Sequence, residues 1–145
     1  MRRSLIRAAL LAALASAGCQ TVDLGTPPAD VNACEPSQQF FIDQIWPNFL
    51  GQTYTGGVHC YDSQCHDPGA GRQLSLTNPI EAGTVPLPTD WANNYASAAS
   101  LMNCADPTSS LLLLVPEGGM SHGGGTLIMP NGPEATLIDM WVSAP

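Results

Sequence analysis

Apolar positions recur every three or four residues in three stretches of the chain, and little in the pattern supports an extensive sheet. The first stretch is "PSQQFFIDQIWPNFL". Phe41, Ile45 and Phe49 fall on one stripe with Ile42 and Trp46 beside them, and Ser37 can cap the helix they predict. Pro47 is expected to kink or end that helix near Trp46. The second is "PTDWANNYASAASLMNC", with Thr89 as the candidate cap and Trp91, Tyr95, Ala98 and Met102 along one face. The third, "PEATLIDMWVS", starts with Pro133 at a favourable first-turn position and presents Leu137, Ile138, Trp141 and Val142 to a core.

Between these helices the pattern is lost. "GQTYTGGVH" is a Gly/Thr loop, and residues 67–88 hold four prolines and three glycines. "DPTSSLLLLVP" is apolar but too short to assign to helix or strand, and "EGGMSHGGGTLIMPNGP" is a glycine-rich loop. No internal repeat is visible. A mainly α fold of about three helices with loops this long needs an internal support, and a buried cofactor would supply one.

The first eighteen residues are set aside. A basic start (Arg2, Arg3, Arg7) precedes an apolar run from Ala8 to Ala15 that is too short to span a bilayer. Ser16-Ala17-Gly18-Cys19 reads as a lipobox with Ser16 where Leu is usual, and Ala15-Ser16-Ala17 offers an ordinary signal-peptidase site instead. The lipoprotein reading explains the lone Cys19 at the end of the signal. Gln20 stands where an inner-membrane retention signal would put Asp, so sorting to the outer membrane, facing the periplasm or the cell surface, is the default expectation. Residues 19–36 then form a Pro/Thr/Asp-rich tether, and 37–145 a single domain.

Without the signal, the chain carries one cation, Arg72, against twelve carboxylates. Nucleic acid and anionic membrane surfaces are poor partners for such a chain, so membrane attachment is expected through the N-terminal lipid only. A basic protein partner fits the charge, as does a purely solubilising role.

The chemistry concentrates in "HCYDSQCHDP", residues 59–68. Covalent haem attachment needs two thiols to add across two vinyl groups and a histidine directly after the second thiol to ligate iron. Cys65-His66 keeps that adjacency. The spacer from Cys60 is four residues, Tyr61 to Gln64, instead of two, and it is polar enough to bulge into water. A second axial ligand must come from elsewhere. Met129 lies before Pro130, which biases its backbone toward the extended region. His122 lies before three glycines that allow close approach to a flat cofactor. Met120 is a third candidate. Arg72 could hold a haem propionate or be an ordinary surface arginine.

At this point the chain resembles a known family. "FFIDQIWPNF", "CYDSQCHDP" and "SSLLLLVPEGGMSHGGGTLIMPNGPEATLIDMWVSAP", in that order over residues 38–145, resemble the cytochrome c-like domain of exported proteins and lipoproteins of planctomycetes, myxobacteria and Bacteroidetes. The departures are a longer loop between Phe49 and Cys60 and the Val142-Ser143 ending. The resemblance implies a mainly helical cytochrome c fold with its first and last helices crossing, one covalent haem c, and His66 as proximal ligand. It leaves the choice between Met129 and His122 open. The expected work is one-electron transfer with a redox protein partner. No acid–base pair or nucleophilic arrangement is apparent, so catalysis is not indicated.

Other readings stand beside this one. Cys60 and Cys65 could pair with each other in a haem-free binding or structural lipoprotein. Zinc could recruit Cys60, Cys65, His66 and either His59 or His122, but two adjacent ligand pairs suit tetrahedral geometry poorly. An open sixth position would make a small haem peroxidase. Cys34 and Cys104 are left, by elimination, to bridge.

Overall fold

The computed structural model describes residues 35–79 and 87–144. The expected signal, the candidate lipidation site Cys19, Cys34 and nearly all of the expected tether lie outside the described residues. Those described are mainly helical, and their one β-type pairing is the isolated bridge between Tyr54 and Val58.

Helix α1 begins as an α-turn over Gln38–Phe40 and continues as a π-helix over Phe41–Leu50. Ser37 caps it as its sequence position suggests: its Oγ accepts the Phe40 N–H at 3.3 Å. Pro47 does not end the helix. Proline in an α-helix removes a donor and presses its ring on the carbonyl four residues back. The wider winding, in which the Gly51 N–H reaches the Trp46 carbonyl at 2.7 Å, relieves that contact, so the chain stays helical to Leu50. The same winding turns both Ile45-Trp46 and Phe49-Leu50 inward, and all four are buried.

Helix α2 spans Pro88–Ala99. Pro88, not Thr89, sets its start, because proline's fixed φ and missing N–H suit the first helical position, and Leu87 is the capping residue. The helix stops short of Met102. Leu101 and Met102 close it with i→i−3 bonds to Ala98 and Ala99, and both stay buried. The undecided leucine run becomes a 3₁₀ turn, Pro107–Ser109, and a single α-turn, α3, Leu111–Leu114. Helix α4 spans Pro133–Ser143 with Pro133 in its first turn. Its buried residues are Ala135, Ile138 and Trp141, with Leu137 and Val142 partly buried against the core.

Phe41 is the hub of the packing. Its ring centroid lies 5.5 Å from that of Trp141 on α4, 6.0 Å from Tyr95 on α2 and 6.3 Å from Trp46 on its own helix. Polar ends of these aromatics fix the entry to α1. Trp141 Nε1 donates to the Ser37 carbonyl at 2.8 Å, and the Tyr95 hydroxyl donates to that of Pro36 at 2.7 Å. Buried aromatics with satisfied polar tips contribute both area and direction. The long loops close over the core through Leu74, Leu76 and Ile128, all buried. Among the described residues no helix is long and apolar enough to cross a membrane.

Candidate cofactor site

The loop that carries both cysteines is organised by its own backbone. After α1, Tyr54 sends its hydroxyl back to the Phe49 carbonyl at 3.0 Å. Gly56 and Gly57, with φ of 91° and 77°, then turn the chain so that the Tyr54 N–H meets the Val58 carbonyl at 2.8 Å. Asp62 is the centre of the next turn. Its carboxylate accepts the His59 N–H at 2.7 Å, and its carbonyl accepts the N–H of Cys65 at 2.8 Å. The His66 N–H closes the loop onto the Cys60 carbonyl at 3.0 Å. Ser63 and Gln64 project into solvent as expected of a bulging spacer. Tyr61 does not: its ring stacks 5.9 Å from Trp46 on one side and 4.7 Å from His59 on the other. The four-residue spacer is therefore folded back rather than stretched.

Cys60 and Cys65 are both free thiols, partly buried. Burial pushes the Cys60 thiol up to about 12, helped by the neighbouring Cys65. Burial also raises the Tyr54 hydroxyl. Cys60 is thus held as a neutral thiol at physiological pH.

His66 is fixed on every side. Its N–H is bonded to Cys60, its carbonyl accepts the Leu76 N–H at 2.7 Å, and its Nδ1 lies 3.1 Å from the Leu74 carbonyl. A carbonyl only accepts, so Nδ1 carries the proton and the Nε2 lone pair is left available. Burial lowers the His66 pKa, and His122 and Arg72 add to the effect, so the neutral form that ligates metals is favoured. The Leu74–Thr77 segment is anchored in turn by α2. Buried Asn94 accepts the Thr77 N–H at 2.9 Å and donates to the Thr77 carbonyl at 2.7 Å, and Ser97 Oγ accepts the Ser75 N–H at 2.7 Å. None of these supports has a signature in the sequence. A backbone carbonyl has no residue signature, and Asn94 reads there as an ordinary helix polar residue.

His122 lies against His66. The ring centroids are 6.0 Å apart and the planes within 15° of parallel. His122 Nδ1 donates to the Gly125 carbonyl at 2.9 Å, which leaves its Nε2 available by the same logic. Neither Nε2 has a hydrogen-bond partner among the described residues. Offset ring contact alone would permit this spacing.

The other sequence candidates are placed elsewhere. Met129 is 76% exposed and Met120 50% exposed. Arg72 is exposed yet near enough to bear on His66. His59 is engaged away from this pair, with Nε2 2.9 Å from the Thr53 hydroxyl and Nδ1 3.5 Å from Asp62. Cys104 is disulfide-bonded, while Cys34, its expected partner, lies outside the described residues. No group of three or more His, Cys, Asp or Glu side chains converges on a metal position among the described residues. Comparison with family models, curated proteins and solved structures found no match.

Proposed function

We propose that this chain is an exported, lipid-anchored monohaem c-type cytochrome that transfers single electrons. The observation that supports this reading best is the His66–His122 pair: parallel rings at 6.0 Å, each with Nδ1 engaged by a carbonyl and Nε2 available. Two free thiols in the loop that ends at His66 fit covalent attachment. When bound, haem supplies the one-electron iron couple.

The residues divide the remaining work. Cys60 and Cys65 would hold the porphyrin through thioethers. His66 would ligate the iron, its ring oriented by Leu74. His122 would be the second ligand, preferred over Met129 because Met129 faces solvent. Arg72 would neutralise a propionate. Two imidazoles stabilise the oxidised iron more than an imidazole and a thioether do, so a low potential is expected. The acidic chain favours a basic redox partner.

Expression together with the c-type maturation machinery tests the reading. The expected product has one haem retained in denaturing gels and a low-spin spectrum, without the charge-transfer band that thioether ligation gives. Cys60→Ala should leave a single thioether, and His122→Ala should give a high-spin spectrum. A colourless protein with Cys60 bonded to Cys65 would replace this reading with a haem-free, disulfide-stabilised domain.

A further inference from the structure

The two histidines are held in very different ways. His66 is bonded through its N–H, its carbonyl and its ring, to Cys60, Leu76 and Leu74, and those last two side chains are buried. His122 has no such frame. It sits near the tip of an arm whose neck is closed by two bonds, Gly119 N–H to the Leu114 carbonyl at 2.9 Å and Leu127 N–H to the Pro116 carbonyl at 2.8 Å. Between these, the hydrogen bonds among the described residues are internal to the arm: Gly125 N–H to the His122 carbonyl at 3.0 Å, and His122 Nδ1 to the Gly125 carbonyl at 2.9 Å. All residues from Gly118 to Thr126 except His122 are exposed. The neck itself demands glycine. Gly118 has a φ of 82°, and a Cβ there would collide with the Thr126 hydroxyl.

This arrangement lets the arm move as a unit. The internal bonds keep the His122 tautomer and ring orientation whether or not the ring faces His66, and no bond to the core is lost when it swings. Segments of this kind, with few core contacts and exposed hydrogen bonds, open at low free-energy cost.

Resting on the haem reading above, we infer that His122 is a releasable ligand and that the haem face it covers is a binding site for a neutral diatomic π-acceptor such as carbon monoxide. The exchange is redox-neutral. The bond from iron to Nε2 of His122 breaks, a bond from iron to the ligand carbon forms, and His66 stays in place. A neutral ligand is specified because a chain with one cation against twelve carboxylates outside the signal disfavours approach of anions.

The test uses the full-length holoprotein with covalent haem, reduced with dithionite and mixed with carbon monoxide in a stopped-flow spectrometer. The expected result is complete conversion to the carbonyl spectrum. The observed rate should rise with carbon monoxide and then level off, because departure of His122 limits it. In His122→Ala the plateau should vanish and the rate at the highest carbon monoxide should increase at least tenfold. Added imidazole should restore a low-spin spectrum and the plateau, which separates ligand loss from misfolding. A parent that shows no carbonyl spectrum under carbon monoxide while His122→Ala reacts would overturn the inference and leave the cytochrome reading standing. Equal, linear rates in both proteins would also overturn it. A protein that never acquires covalent haem would remove the cytochrome reading itself, and this inference with it.

Discussion

Asn94 pairs with the backbone of Thr77 as one strand residue pairs with another, accepting its N–H and donating to its carbonyl at 2.9 and 2.7 Å. This buried amide joins α2 to the segment whose carbonyl orients His66. Replacing Asn94 with Ala leaves two part-buried backbone groups without this partner. The expected loss is about 2 kcal/mol or more, given the cost of leaving buried donors and acceptors unmade. Chemical denaturation of the parent and Asn94→Ala measures it. A loss below about 0.5 kcal/mol would show that the Leu74–Thr77 segment finds other partners.

Trp141 combines buried area with a directed bond. Trp141→Ala should cost about 3–5 kcal/mol through the cavity beside Phe41. Trp141→Phe keeps most of the packing but loses the bond to the Ser37 carbonyl, and should cost about 1 kcal/mol. Thermal melts of the two variants should differ clearly. Equal melting temperatures would mean that the bond to Ser37, not the ring, carries the contribution.

Cys60 should be inert as a nucleophile. Its thiol is pushed up to about 12, first by burial, so thiolate is scarce at mildly alkaline pH. In haem-free protein, alkylation followed by peptide mass mapping should leave Cys60 unmodified until the fold is opened with denaturant. Rapid labelling of Cys60 in the folded parent would contradict the burial seen here.

His66 has a definite pH signature in haem-free protein. Its pKa is lowered from 6.5 in the folded state, chiefly by burial, so the unfolded chain binds its proton first as pH falls. Stability from this residue is therefore fully present above about 6.5 and declines as pH drops below that value. Denaturation midpoints of the parent should fall over this range more steeply than those of His66→Gln. Parallel curves would mean that the ring is solvated.

The three principal helices were legible because their apolar stripes were, down to the Ser37 cap and the Pro133 start. Sequence and structure differ at proline. Pro47 reads locally as a helix breaker, and only tertiary burial on both sides of it, at Trp46 and Phe49, stabilises the wider winding that keeps it. Pro88 took the first helical position beside a plausible cap, Thr89. In the site, Cys60, Cys65 and His66 were visible as a spacing. That His122 lies beside His66 while Met129 is exposed was not, because it depends on how the glycine-rich arm folds. The supports from Leu74, Asn94 and Ser97 act through backbone atoms, which no side-chain pattern announces.

Residues 67–73 form a detour whose two ends hang on a single residue, since both the Leu76 N–H and the Leu74 carbonyl are bonded to His66. The ring's position is thereby uncoupled from the length of chain looped out. Extra residues spliced in beside Gly69 would lengthen the excursion without dragging the imidazole, which makes that point a natural port for an affinity handle or an electrode linker close to the redox centre proposed here.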